Sequence, residues 1–350
     1  MNAEHPVNTK VPYRIDVHHH LLPRFYVETL ERVGSVMSTL AGILPDWSLE
    51  AHLKVMDKIK IAVGMASIPA GIHFESEASA RDLARKSNEF LASICSEHPT
   101  RFGAFAALPM PGVDGALREA VYALDTLKLD GVVMLSNVAG HYVGAPENDD
   151  LFAELNRRGT VVYVHPGDPP EQGIPLSIQF PIDTALETVR AVMSLLYNGV
   201  FERYPEVKFI FSHCGGITPY LAHRMVRGRA WVRGEGGPDP GLLDEVPAGG
   251  KEAKAISLLQ RQYYDSMTAN AANGLRTLQA LVDPSHILLG TDHAILPAAY
   301  QPLKMRELRR YKGFDEATRM GVERENALRL FPRLLEVLEP WIPALLPHTL

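Results

Sequence analysis

Cysteine is nearly absent: Cys95 and Cys214 are the only two in 350 residues. Two thiols so far apart give neither a disulfide scaffold nor a cysteine-based zinc knuckle, so a metal here must be held by histidine and carboxylate. Long uninterrupted apolar runs are missing too, and with them a bilayer-spanning segment. The opening stretch MNAEHPVNTKVPYR has no apolar h-region of a secretory signal, which places the expected protein in the cytoplasm. Positive charge is not in excess. With 35 basic against 41 acidic side chains the net charge is -6, which argues against general nucleic-acid binding and for a small ligand. No glycine-rich phosphate loop follows the first strand-like run, as a dinucleotide-binding sheet would require.

What is present is a regular alternation. Eight short β-rich runs occur in order: YRIDVHH (13–19), IAVGMASI (61–68), FGAFAALPM (102–110), GVVMLS (131–136), TVVYVHP (160–166), KFIFSHC (208–214), QYYDSM (262–267) and ILLGTDH (287–293). Between them lie segments such as GALREAVYALDTL, DDLFAELNRRG and TVRAVMSLLYNGVFERYP, whose apolar residues recur at three- and four-residue steps. Near-continuous apolar strands suit a parallel sheet buried on both faces, and eight βα units close into a barrel. The expected fold is α/β, a (β/α)8 TIM barrel in one domain over residues 1–350, with the barrel at about 12–336 and a tail at 337–350; an open doubly wound sheet is the alternative. Residues 21–50 and roughly 167–185 read as loop insertions covering the C-terminal face. The Gly/Pro-rich excursion 232–252 carries no assigned chemistry, and the tail around Trp341 packs on a neighbouring subunit or on its own barrel.

The opening run ends in three consecutive histidines. In an alternating strand His18 and His20 share a face and His19 points away, so the pair forms a chelating His-x-His while His19 packs or meets solvent. His165, His213 and Asp292 each close another apolar run, and in a barrel those ends converge on one face. Three imidazoles and a carboxylate suit a borderline divalent ion, Zn2+ with Mn2+ as the alternative, and leave a position for water or substrate.

These motifs (DVHHHLLP, VVYVHP, FIFSHCGGITPYLAHR, ILLGTD and ENALRLF) resemble the amidohydrolase superfamily over about residues 12 to 336, and within it the mononuclear decarboxylase branch of aminocarboxymuconate-semialdehyde, salicylate and resorcylate enzymes. The resemblance makes His18, His20, His165 and Asp292 metal ligands and His213 an unligated catalytic histidine. It implies one ion, because fourth-strand VVMLSN lacks the bridging lysine of binuclear relatives. It also matches Arg224 to an arginine that reaches the substrate of a neighbouring subunit in a homodimer or homotetramer. His52 stands where the muconate-semialdehyde enzymes have a substrate-binding arginine, and VHHHLLPRFY and ALDTL…DGVV look more like the 6-methylsalicylate branch. His293, beside Asp292, is expected just behind the ligands, while Trp47, Phe74 and Tyr142 are candidates for an aromatic pocket wall or for plain core.

The activity implied is metal-dependent, non-oxidative decarboxylation of a hydroxybenzoate-type or related unsaturated carboxylic acid, with no organic cofactor. A protonated Asp292 would be the acid at the carboxyl-bearing carbon and His213 would orient the phenolic oxygen. The same ligands serve a rival chemistry, hydrolysis or hydration by metal-activated water as in lactonases or deaminases, with Asp168 of HPGD as a further acid/base.

Overall fold

All eight apolar runs become parallel strands, and they pair in chain order. They are β1 (Arg14–His20), β2 (Ile61–Ser67), β3 (Phe102–Ala107), β4 (Gly131–Leu135), β5 (Val161–His165), β6 (Lys208–Phe211), β7 (Tyr263–Asp265) and β8 (Ile287–Leu288). The computed structural model describes residues 12–34, 47–68, 76–168, 176–232, 251–267 and 272–338. Phe74, most of the 232–252 excursion and the tail from 339, including Trp341, lie outside the described residues. The ends trimmed from the expected strands, such as 212–214 and 289–293, leave the ladder and carry chemistry instead.

The sheet closes into a nearly complete (β/α)8 barrel. Between β8 and β1 the seam is held by Val17 N–H on Leu289 O at 2.9 Å, Asp292 N–H on His18 O at 2.8 Å, the His20 amide on His293 O, and a parallel bridge between His19 and His293. Its longer helices are α1 (Arg24–Val33), α2 (Leu49–Lys58), α3 (Glu77–Glu97), α4 (Val113–Val121), α5 (Asp149–Arg158), α6 (Leu176–Tyr197) and α7 (Thr218–Val232), followed by α8 (Lys251–Gln260), α9 (Ala272–Leu281) and α10 (Gln301–Arg310). Helix α2 shows why such segments fold: Ser48 caps it by accepting from Ala51 N, Glu50 and Lys58 suit its two ends, and His52 and Met56, four residues apart, form its buried face. The two stretches read as loops are partly helical, since α1 lies in the first and α6 begins at Leu176, earlier than its apolar period indicates.

Two apolar layers result. One lies between sheet and helices; the other fills the barrel with Ile15, Val17, Met65, Phe105, Tyr163, Ile210 and Leu288. Leu328, Phe331 and Leu334 from the ENALRLF region join the inner layer. Nearby, the buried Arg14 at the start of β1 donates from Nε and Nη2 to Glu323 Oε1 at 2.9 and 2.7 Å. That end of the barrel is plugged, and the C-terminal ends of the strands are left for chemistry.

Strict alternation fails within β1. Ile15 and Val17 belong to the inner layer, yet His18 and His20, of opposite parity, turn toward His165 of β5. A register shift against β2 between Asp16 and His19 absorbs the extra residue. Such an irregularity re-aims side chains, and it leaves Asp16 and His19 together, Oδ2 to Nδ1 at 2.7 Å.

Candidate metal centre

His18, His20, His165 and Asp292 are all buried, and each offers one ligand atom such that these atoms lie within 4.8 Å of one another. His18 Nε2 and His20 Nε2 are each 3.2 Å from Asp292 Oδ1. None of these three atoms has a hydrogen-bond partner, although each is buried. Three unpaired buried polar atoms facing one another are costly unless a cation joins them, and the donor set fits a divalent ion. Among the described residues no other group of this kind forms.

The opposite ring nitrogens are tied down. His18 Nδ1 lies 2.8 Å from Asp265 Oδ2, His20 Nδ1 is 3.0 Å from Ser67 Oγ, and His165 Nδ1 is 3.0 Å from Pro166 O. The Asp265 carboxylate and the Pro166 carbonyl draw a proton to Nδ1 of His18 and His165, the Ser67 hydroxyl accommodates the same tautomer of His20, and each Nε2 is left to face the ion site. Tyr163 donates to Asp265 Oδ2 at 3.2 Å and Met267 N–H to Oδ1 at 2.9 Å. Asp265 was missed in the sequence although a signal was there: it is the last residue of β7, at the same mouth as the histidines. Gly290 keeps the contact possible, because a Cβ there would sit 2.9 Å from Asp265 Cβ and 3.0 Å from His18 Cβ.

Burial disfavours charge here, and repulsion from His20 and His18 adds to it, so His165 is held neutral far below its ordinary pKa; burial likewise lowers His20. His18 goes the other way: burial opposes its charge, but Asp265 and Asp292 raise it to about 10, so an ion taken up at Nε2 would displace a proton there. Burial pushes Asp292 up, yet the charge of His18 and the close approach of the His18, His20 and His213 rings favour its carboxylate form and hold it well below the usual range. The surroundings thus favour the carboxylate form of Asp292, so the acid role expected of it requires a proton brought from a neighbour.

His213 sits on the other side of that carboxylate, Nε2 3.7 Å from Asp292 Oδ2, with its ring centre 4.9 Å from that of His18. Both His213 (φ 52°) and Asp292 (φ 57°) adopt the left-handed backbone region, which costs a non-glycine residue roughly 1–3 kcal/mol. Cys214 (φ 59°), Gly215 and Gly216 continue the turn after His213. A Cβ on Gly216 would lie 2.1 Å from Ala185 O. A cavity of about 330 Å³ opens beside His213, lined by Ala185, Ile217, Pro219, Tyr220, Asn273 and Thr277 among others.

Other expected site residues lie elsewhere. His52 is buried behind β1, with Nε2 2.6 Å from His19 Nε2 and Nδ1 accepting from Trp47 Nε1–H at 3.1 Å. Both ring nitrogens are engaged, so the substrate-binding role expected for His52 is corrected to one inside the protein. His293 packs against His52 with tilted rings whose centres are 4.4 Å apart. Arg224 is exposed on α7, one turn after Tyr220, which is exposed as well. Trp47 contacts His52, and Tyr142 donates to Glu187 at 3.1 Å.

Glu187 is a second omission. This fully buried carboxylate accepts from Ser136 Oγ at 2.9 Å, Asn137 Nδ2 at 2.6 Å and Arg190 Nη1 at 2.7 Å as well. Ser136 Oγ in turn accepts from Gly167 N–H at 2.9 Å, so the network braces the loop just after His165.

The amidohydrolase family matches residues 15–333 of the chain. A 6-methylsalicylic acid decarboxylase of Penicillium expansum is 31% identical over 337 residues, covering 93% of this chain and 98% of its own. One from Aspergillus aculeatus is 33% identical over 339 residues, covering 92% and 96%. Among solved structures, a dihydroxybenzoic acid decarboxylase of Polaromonas sp. JS666, with bound manganese and 2-nitroresorcinol, superposes with a TM-score of 0.71 at 22% identity over 92% of this chain and 97% of its own.

Proposed function

The chain belongs to the amidohydrolase family, and we propose that it is a metal-dependent carboxy-lyase that removes the carboxylate of a hydroxybenzoate-type acid of the 6-methylsalicylate kind without oxidation. The observation that carries the reading is the set of buried, unpaired ligand atoms on His18, His20 and Asp292, beside His165 and with His213 across the carboxylate. The activity named for the two fungal relatives supports the substrate class.

His18, His20 and His165 would hold the ion through Nε2, and Asp292 through Oδ1. Zn2+ suits three imidazoles and a carboxylate, and Mn2+, which the Polaromonas structure contains, is the alternative. When bound, the ion supplies positive charge that fixes the substrate's carboxylate and adjacent phenolic oxygen and stabilises the charge developing there. The residues of the chain do the proton work. His213, at the edge of the cavity, takes up a proton, polarises the phenolic oxygen and passes the proton to Asp292 Oδ2, the oxygen turned away from His18 and His20. From Asp292 the proton goes to the ring carbon that bears the carboxylate; the bond to the carboxylate carbon then breaks, its electron pair restores the aromatic ring, and CO2 leaves. One proton enters and one CO2 departs, so no oxidant and no organic cofactor is needed.

We place the enzyme in the cytoplasm as a homodimer or homotetramer, in which Arg224, outward on α7, serves the site of a neighbour. Among the described residues no helix is long and apolar enough to cross a membrane. The test of the reaction is turnover of a hydroxybenzoate panel in D2O. We expect CO2 and one deuterium on the carbon that carried the carboxylate; a product that has gained water or lost ammonia would select metal-activated water chemistry instead.

A further inference from the structure

The middle histidine of the triplet takes no part in the cluster, yet it is as buried as its neighbours. It belongs to a chain of four side chains whose proton positions are all fixed by the first. Trp47 Nε1–H can only donate, so His52 Nδ1 at 3.1 Å must accept. His52 then carries its proton on Nε2, 2.6 Å from His19 Nε2, which must therefore be the accepting nitrogen. The proton of His19 is left on Nδ1, donating to Asp16 Oδ2 at 2.7 Å. Any reversal would leave two donors facing each other or a histidine with no proton at all. Burial, which pushes His52 well below its ordinary pKa, favours the same neutral state.

Asp16 is where this chain meets the candidate metal centre. Its Oδ1 accepts from His18 N–H at 3.1 Å and Thr291 N–H at 3.0 Å, and its Oδ2 also accepts from the Thr291 hydroxyl. One fully used carboxylate thus spans the barrel seam, binding the amide of His18 on one side and the residue before Asp292 on the other. Three backbone bonds and one bridge hold that seam, Asp292 N–H on His18 O among them, and the Asp16 contacts add to them in setting how far the His-x-His strand stands from Asp292. Gly64 of β2 reserves the space for the relay: a Cβ there would lie 2.4 Å from His19 Cδ2.

We propose that Trp47, His52, His19 and Asp16 form a one-directional hydrogen-bond relay that sets the spacing of His18 and His20 against Asp292 from behind the barrel wall. These are positioning residues; none touches substrate. The inference rests on the metal reading of the cluster, so its test includes a measurement that needs no metal.

Imidazole 15N correlation spectra of the intact protein read the tautomers directly. The relay requires the proton of His52 on Nε2 and that of His19 on Nδ1; the opposite tautomer at either ring overturns it, even in a chain that takes up no ion. Release of the ion to excess chelator gives the second measurement. His52→Leu should speed release several-fold, short of the roughly tenfold or more expected where a direct partner of a ligand is lost. His52→Gln, whose amide oxygen can accept from Trp47 while its amide N–H donates to His19, should restore most of the slow release. Gly64→Ala, which removes no polar group but displaces the His19 ring, should behave like His52→Leu. Wild-type release rates in His52→Leu and Gly64→Ala, or a Gln variant no better than Leu, would reduce these side chains to packing.

Discussion

Asp265, at the end of β7, holds His18 by Nδ1 at 2.8 Å, and this single contact decides which nitrogen of His18 faces Asp292. A carboxylate behind a ligating imidazole fixes its tautomer and raises its basicity. Asp265→Asn keeps the size but removes the charge, and its amide group can rotate to present a donor where His18 needs an acceptor. We expect affinity for the ion to fall 10- to 100-fold by chelator competition, with little loss of helical and strand signal in circular dichroism. Unchanged affinity would show that His18 is oriented by its backbone alone.

Ligand removal tests the cluster as a whole. Protein purified without added metal should contain about one equivalent of zinc or manganese per chain, since three imidazoles and one carboxylate make one site. The His18→Ala/His20→Ala double variant should lose it while the barrel survives, because β1 is held to β2 through backbone pairing that the ion does not touch. His19→Ala should still take up one equivalent, though it should release it faster. Two tightly held equivalents in the wild type would contradict the single site.

Glu187 offers a test away from the ligands. Its carboxylate accepts from four side chains, and Gln offers one accepting oxygen in place of two while adding an amide that faces donors. Glu187→Gln should lower stability by about 1.5–3 kcal/mol in urea unfolding, the range for hydrogen bonds to a charged group. Because Ser136 links Glu187 to the loop after His165, kcat should also fall; a variant as stable and active as the wild type would make the network incidental.

The fold was legible because each strand is a short apolar run and each helix carries a three-and-four spacing, and the polar residues that end the strands stood out against them. His18, His20, His165, His213 and Asp292 could thus be named before their neighbours were known. Alternation separated His18 and His20 from His19 correctly, but it could not reveal the register shift that lets Val17 and His18 both turn inward, since a bulge is set by pairing with β2. His52 misled for a related reason. Its helical position marks a buried face, but only the tertiary fold shows that the face meets His19 and Trp47 and not the cavity. Glu187, in the middle of α6, looks like any charged helix residue until Ser136, Asn137 and Tyr142 close over it.

Arg224 separates an anchor that crosses between subunits from an ordinary surface charge. It is exposed on α7, close behind the turn that carries His213, and its neighbour one turn earlier, Tyr220, is 81% exposed. A guanidinium that reaches the carboxylate or phenolate of a substrate bound to another chain makes charge-assisted, often bidentate hydrogen bonds that lysine does not reproduce. Arg224→Lys should therefore lower kcat/KM about tenfold, which corresponds to roughly 1.4 kcal/mol, with metal content unchanged. Arg227→Lys, three residues on, should do much less. Mixing inactive Arg224→Ala chains with inactive Asp292→Ala chains, under conditions that exchange subunits, should restore activity, because a mixed dimer assembles one site with both residues intact. Demonstrated exchange without recovery, or a fully active Arg224→Lys enzyme, would return this arginine to the solvent and leave substrate anchoring to the residues around His213 and the metal centre.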